Sequence, residues 1–457
     1  MTDLPATIFV LFGATGDLAR RMVLPAFAAL TGNDLMPDEW VLVGNGRKGD
    51  DDAWFADHVR EVLDDDTAFA AVRDHLMFAG NGFTADDPGD LPDTVARARQ
   101  RVGEEALLVH YIALPPSTFE PYVQALDAHG LAAGSRVVFE KPYGTGPAAF
   151  EHLEQVVHGV FDEDQVYRLD HFLGKEATQN LHVLRFANRI VGDIWCNQGV
   201  DQVQIDVPET LDIDDRAAFY DETGATLDMV VTHLFQVAAE IAMEPPVSLA
   251  GGHLLAARES VIADFRPLDP DEVVLGQYEG YRDVTGVAAD SDTDTFIAAR
   301  LWVDTDRWHG VPFLLRTGKR LAVSEQRVTL VLKPAEGGPV SDPPPTAISL
   351  SLKGSGELEI EVVTKRPGPG VALATGSAPL PLADADGPDL PAYATLIRDV
   401  LDGDRSLFTS SQGLAAAWRA LTPLLEHRPP VQPYAPGSWG PEAAAELAAP
   451  DGWYLQR

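Results

Sequence analysis

Six short apolar runs separated by amphipathic stretches fill the first third of the chain, and this alternation limits the fold more than any other feature. The runs are ATIFVLFG (6–13), EWVLVGN (39–45), HLMFAG (75–80), ALLVHYIAL (106–114), RVVFEKP (136–142) and QVYRLD (165–170). Amphipathic segments 17–30, 51–63 and 119–132 lie between them. A continuously apolar strand must be covered on both faces, and helices inserted between successive strands provide that cover. The pattern therefore predicts an α/β arrangement around a parallel sheet.

From about residue 178 the rhythm changes. The spacing predicts a helix over 176–187, then the run IWCNQGVDQVQIDVPE (194–209), then a helix over 225–243. Pro245 and Pro246 stop that second helix, because neither can continue it. The later runs DTFIAARLWV, RVTLVLKP, TAISLSLK and ELEIEVVTKRPG alternate apolar with polar residues, as antiparallel strands do. Segments 334–346 and 366–393 are rich in Pro, Gly and Asp and read as loops. The expected organisation is an N-terminal Rossmann-like parallel-sheet domain over 1–177 and a C-terminal α+β domain with a large, mostly antiparallel sheet over 178–457. No internal repeat and no metal-type Cys/His cluster is visible, so no metal is expected.

A chain of 457 residues with 45% hydrophobic and 23% charged residues has the composition of a globular protein with more than one core. No apolar run reaches the roughly 20 residues needed to span a bilayer. The start MTDLPATIFV lacks a basic secretory signal, so a cytoplasmic location is expected. Cys196 is the single cysteine and has no internal partner for a disulfide, which fits a reducing compartment. A net charge of −36 repels nucleic acid and anionic membranes, so neither is expected as a partner. An anionic ligand must then meet a local positive pocket. Only seven lysines occur, at 48, 141, 175, 319, 333, 353 and 365, which makes each position informative.

Four stretches carry chemistry. In FVLFGATGDLARRM the first apolar run passes directly into Gly13-Ala14-Thr15-Gly16-Asp17-Leu18 and then a helix. Glycines at 13 and 16 permit a tight turn and close approach of a ligand, and the helix start offers N–H groups to a pyrophosphate. The end of the second strand in such a fold reads the adenosine ribose. There VLVGNGRK places Arg47 and Lys48, with no carboxylate before Asp50, which favours NADP over NAD. FEKPYG (139–144) puts Lys141 at a strand's carboxyl end, where open α/β sheets bind ligands. RLDHFLGKEATQNLHVLRFAN (168–188) groups Asp170, His171 and Lys175, a carboxylate to orient a base and two cationic groups suited to a phosphate.

With these motifs in view, the sequence resembles the glucose-6-phosphate dehydrogenase family. The resemblance runs through Gly13–Ala19, Glu140–Gly144, Arg168–Asn188, VPETLDIDDRAAFYDETG (207–224), HLFQVAAEIAMEPP (233–246) and PFLLRTGKRL (312–321), and returns at AAWRALTPLLE (416–426). It implies NADP-dependent oxidation of D-glucose 6-phosphate to 6-phospho-D-glucono-1,5-lactone. It further implies His233 as general base paired with Asp170, and His171 and Lys175 as ligands of the 6-phosphate. Lys141, Glu209, Asp228 and Lys319 would line the sugar, Arg47 would face the NADP 2′-phosphate, and Tyr111 would lie near the cofactor. Three of the seven lysines thus fall on substrate positions.

The chain departs from the family's pattern in places. Its base helix usually reads R-D-x-x-Q-N-H and is here Leu227-Asp228-Met229-Val230-Val231-Thr232-His233. Phe172 replaces a tyrosine, and Met22 and Ser324 stand where basic residues are often found. These departures keep two further readings open: a paralogue acting on another hexose 6-phosphate or using NAD, and a catalytically weak binding or regulatory relative. The extensive second sheet has faces to cover, and the family associates through that domain, so a homodimer or homotetramer is expected.

Overall fold

Each of the six apolar runs forms a strand: β1 (Thr7–Phe12), β2 (Trp40–Asn45), β3 (Leu76–Ala79), β4 (Leu107–Ile112), β5 (Arg136–Phe139) and β6 (Val166–Arg168). The computed structural model describes residues 4–48, 51–213, 216–250, 252–335, 339–340, 342–382 and 390–456. Asp50, the first carboxylate after Arg47 and Lys48, lies outside the described residues, as do Asp214 and Asp215. All pairings among these strands are parallel, in the order β3-β2-β1-β4-β5-β6. Residues 8–12 of β1 are almost wholly buried, as a central strand covered on both faces must be. The cover comes from helices including Leu24–Gly32, Asp52–Leu63, Leu91–Val102 and Phe119–Ala128. Asp51 caps one of them by accepting the Trp54 N–H at 2.9 Å. Because β1 lies between β2 and β4, the winding reverses there, and a crevice opens at the carboxyl ends of the strands.

The second sheet is built from β7 (Val200–Pro208), β8 (Val273–Tyr278), β9 (Phe296–Leu301), β10 (Phe313–Gly318), β11 (Arg327–Leu332), β12 (Thr346–Ser351), β13 (Glu357–Lys365), β14 (Leu373–Pro381) and β15 (Val431–Tyr434). Its order is β14-β13-β12-β11-β7-β10-β9-β8-β15, antiparallel except where β10 pairs with β7 and β15 with β8. The helix expected over 176–187 is Glu176–Ala187, and that expected over 225–243 spans Thr226–Leu234 and Phe235–Ala242. Its first part is wound as a π-helix, a form that is rare and concentrated at functional sites. No helix of the described residues is long and apolar enough to cross a membrane.

One expectation is corrected. Segment 366–393 is not all loop: β14 runs from Leu373 to Pro381 and pairs antiparallel along the whole of β13. Its residues are largely exposed, so backbone hydrogen bonds rather than apolar burial hold it, and no alternation marks it. Residues 383–389, 336–338 and 341 of the two segments lie outside the described residues.

The chain divides into two compact units. The first comprises Met1–Gly174, Val247–Leu255 and Gly387–Gln412, and the second Lys175–Pro246, Ala256–Asp386 and Gly413–Arg457. The 177/178 boundary read from the sequence stands beside a first break at 174/175, and two later segments return to the first unit.

Candidate active site

In the first unit, parallel pairing brings the expected residues to one edge of the sheet. Gly13–Leu18 follow β1, Arg47 follows β2, Lys141 follows β5, and Asp170 and His171 follow β6. Gly13 has φ +77°, and a Cβ there would lie 2.6 Å from the Ala113 carbonyl oxygen, so only glycine fits this turn. The Gly16 N–H closes the turn on the Gly13 carbonyl at 2.8 Å. The helix that follows makes its first i→i−4 bond from Arg20 to Gly16 at 3.1 Å. The N–H groups of residues 17–19 precede that ladder, which is the arrangement that binds a pyrophosphate. These residues fit a dinucleotide. Arg47 is exposed at the end of β2, and its charge is felt by the Tyr122 hydroxyl.

Tyr111 is placed differently from the edge residues. It is fully buried within β4, and its hydroxyl donates to Glu140 at 2.6 Å. Asp170 is also buried, and its Oδ1 accepts the Phe172 N–H at 3.0 Å. His171 stacks against Tyr393, with centroids 6.3 Å apart and planes at 17°. Nearby, Glu154, His158 and Glu163 form a carboxylate cluster, but Arg168 already occupies it with bonds of 2.7 Å to Glu154 and 3.0 Å to Glu163.

In the second unit, Lys175, Glu209 and Lys319 collect at one end of the nine-stranded sheet. Glu209 follows β7 and Lys319 follows β10, directly after the paired residues Pro208 and Gly318. Their side chains form an ion pair. Lys175, at the start of helix Glu176–Ala187, donates to Gln326, the residue before β11. Glu325 is bonded through its N–H to the Pro208 carbonyl at 3.1 Å, which ties the start of β11 to the end of β7. Asp228 and His233 lie five apart in the π-helix. An i→i+5 winding brings residues at that spacing nearly one above the other.

Tyr220 links these groups and was not singled out from the sequence. Lys319 Nζ lies 5.6 Å from its ring centroid. Burial pushes its hydroxyl well above the usual range, followed by the charges of Asp228, Asp294 and Glu209 among others. That hydroxyl is buried without a hydrogen-bond partner among the described residues. Nothing in AAFYDETG marks it, because its neighbours come from four other segments.

A glycine turn at the switch point of a parallel sheet, with a second unit presenting histidine, carboxylates and lysines, defines a nicotinamide-dinucleotide dehydrogenase acting on a small polar substrate. Residues 10–180 match the family domain described as "Glucose-6-phosphate dehydrogenase, NAD binding domain", and residues 182–455 match "Glucose-6-phosphate dehydrogenase, C-terminal domain". Glucose-6-phosphate 1-dehydrogenase 1 of Mycobacterium tuberculosis is 34% identical over 445 residues, covering 96% of this chain and 94% of that protein. The Zymomonas mobilis enzyme is 34% identical over 493 residues, covering 99% and 100%. Among solved structures, a glucose-6-phosphate dehydrogenase in complex with its substrate glucose-6-phosphate superposes with TM-score 0.91 at 26% identity, covering 99% of each chain. The Mycobacterium avium glucose-6-phosphate 1-dehydrogenase superposes at 0.87 and 32%, covering 98% of each. The chain belongs to the glucose-6-phosphate dehydrogenase family. As a member it is an NADP-dependent oxidoreductase that converts D-glucose 6-phosphate to 6-phospho-D-glucono-1,5-lactone in the pentose phosphate pathway.

Proposed function

We propose that His233 is the general base of this reaction, with Asp170 as its paired carboxylate. The C1 hydroxyl must lose a proton as hydride leaves, and NADP, when bound, supplies the hydride acceptor. An imidazole titrates near neutrality, and a carboxylate partner stabilises the imidazolium that forms. His171 and Lys175 hold the 6-phosphate. Lys141, Glu209, Asp228 and Lys319 line the sugar, where carboxylates accept from its hydroxyls and ammonium groups donate to them. In a chain of net charge −36, these cations offset the charge of an anionic substrate. Residues Gly13, Ala14, Thr15, Gly16, Asp17 and Leu18 hold the pyrophosphate, Arg47 faces the 2′-phosphate, and Lys141 and Tyr111 stand on the cofactor side.

The observation that supports this reading best is the gathering of Lys175, Glu209 and Lys319 at one end of the second sheet, with Asp228 and Lys319 both beside Tyr220. In this reading 1–177 form the nucleotide-binding domain and also lend Lys141, Asp170, His171 and Lys175 to the sugar phosphate, while 178–457 serve the sugar and self-association, giving a cytoplasmic homodimer or homotetramer. His233→Asn should abolish NADPH formation while calorimetry still detects glucose 6-phosphate binding. Full turnover in that variant would reject the base assignment. Arg47→Ala should weaken NADP far more than NAD, and equal losses would reject the 2′-phosphate assignment.

A further inference from the structure

The helix that carries Asp228 and His233 is held at its first residue by a side chain from the segment that leads into β9. Asp294, 3% exposed, accepts two hydrogen bonds at Oδ2, from the Thr226 N–H and the Thr226 hydroxyl, each 2.8 Å. Its backbone carbonyl accepts the Ala225 N–H at 2.8 Å. Its Oδ1 accepts from Arg428 Nη2 at 2.7 Å. Gly224 makes this approach possible: its φ is +62°, and a Cβ there would lie 2.9 Å from both the carbonyl oxygen and Oδ1 of Asp294.

The next residue reaches the other half of the cluster. The Thr295 carbonyl accepts the Lys319 N–H at 2.9 Å, and the Tyr434 hydroxyl, 2.9 Å from Thr295 Oγ1, donates to the Lys319 carbonyl at 2.7 Å. Asp294 and Thr295 thus join the start of the π-helix to the backbone of Lys319. A π-helix needs such a hold from outside, because its own winding is less favourable than an α-helix.

We propose that Asp294, braced by Arg428, is a positioning residue that sets His233 and Asp228 in register with Lys319 and Glu209. It touches neither substrate nor cofactor and acts through Thr226. The inference rests on the reading of His233 as the base. Both carboxylate oxygens of Asp294 are used, so loss of either set of bonds lets the helix start move against the sheet. Displacement of a base by a fraction of an ångström lowers the rate of proton removal more than it lowers affinity for the sugar phosphate.

The test compares Asp294→Asn, Thr226→Val, Arg428→Gln and Arg428→Lys in the full-length protein. Steady-state kinetics give kcat and KM, calorimetry gives glucose 6-phosphate affinity without cofactor, and thermal melting gives the folded fraction. Asp294→Asn and Arg428→Gln should lower kcat by about ten- to hundred-fold, the scale of a lost charge-assisted hydrogen bond expressed only in the transition state. Affinity for glucose 6-phosphate and KM for NADP should stay within about three-fold. Arg428→Lys should recover most of the loss, because it restores a cation to Asp294. Unchanged kcat in Arg428→Gln and Thr226→Val overturns the proposal, as does a fall in kcat matched by an equal fall in sugar-phosphate affinity. If Asp294→Asn does not fold, the other variants decide, since the Arg428 side chain is 34% exposed. His233→Asn separates the two readings. Retained turnover there removes the base assignment, whereas its loss beside native kcat in the Asp294 and Arg428 variants removes only the positioning role.

Discussion

The Tyr111 hydroxyl donates a 2.6 Å hydrogen bond to Glu140 in the core of the first unit, and Tyr393 hydrogen-bonds the same carboxyl. Glu140 is 5% exposed and immediately precedes Lys141. Burial pushes its carboxyl up to about 7, against the hydrogen bonds from the two tyrosines and the pull of Lys141. Tyr393 also stacks on His171. One network therefore runs from β4 through Glu140, next to Lys141, and on through Tyr393 to His171.

That network makes stability depend on pH with a definite sign. The folded value lies above the usual 4.5, so the folded protein holds an extra proton between the two values. The contribution is full below about pH 4.5 and is lost as pH rises through about 7, at most about 3 kcal/mol. Glu140→Gln cannot ionise, so its melting temperature should gain on the native protein between about pH 5 and about pH 8. A constant difference across that range would contradict the assignment.

Glu240 predicts the opposite slope. Burial would push its carboxyl up, but His182 and Arg258 prevail and hold it at about 2. Arg258 Nη1 donates to Oε1 at 2.6 Å, and His182 contacts Oε2. This contribution is present above about pH 4.5 and is lost as pH falls towards about 2. Glu240→Gln leaves the buried Arg258 without this counter-charge and should cost about 3–5 kcal/mol in urea unfolding at neutral pH. The deficit should shrink in acid, where native Glu240 is itself protonated.

The first sheet was legible because each strand is apolar throughout and each is followed by a helical pattern. The ends of helix Glu176–Ala187 were legible for the same reason, since a change of period marks them. β14 was not, because an exposed strand that includes Pro379 and Pro381 carries no apolar signal. The π-winding of Thr226–Leu234 was hidden as well, since one extra residue per turn leaves an almost wholly buried helix just as apolar. Motifs exposed the residues expected to touch ligands. They did not expose Tyr393, Tyr220, Asp294 or Arg428, whose partners lie far along the chain and exist only once the sheets have formed.

Gly13 tests the cradle directly. Its positive φ and the Ala113 carbonyl, 2.6 Å from any Cβ, leave Gly13→Ala no undistorted way to make the turn. The strain is of order 1–3 kcal/mol and falls on the segment expected to hold the pyrophosphate. NADP affinity should drop at least about ten-fold by calorimetry while glucose 6-phosphate affinity holds. Native NADP affinity in Gly13→Ala would place the dinucleotide elsewhere.

Lys353 offers a last test, on a residue that no motif marked. Its ammonium donates to the carbonyl of Ser324 and lies 3.4 Å from Glu325, next to the Gln326 that receives Lys175. Lys353 thus brings an ammonium from beyond β12 to the segment between Lys319 and Gln326. The side chain is 46% exposed, so its pairing with Glu325 adds little stability. If Lys175 holds the 6-phosphate as proposed, a dianionic sugar phosphate feels the Lys353 charge across the end of the sheet when ionic strength is low. Lys353→Ala should raise KM for glucose 6-phosphate by about two- to five-fold with kcat and melting temperature unchanged, and the effect should fade as the Debye length drops below about 10 Å. A KM indifferent to this substitution at low salt would make Lys353 a tie between β12 and the start of β11 and nothing more.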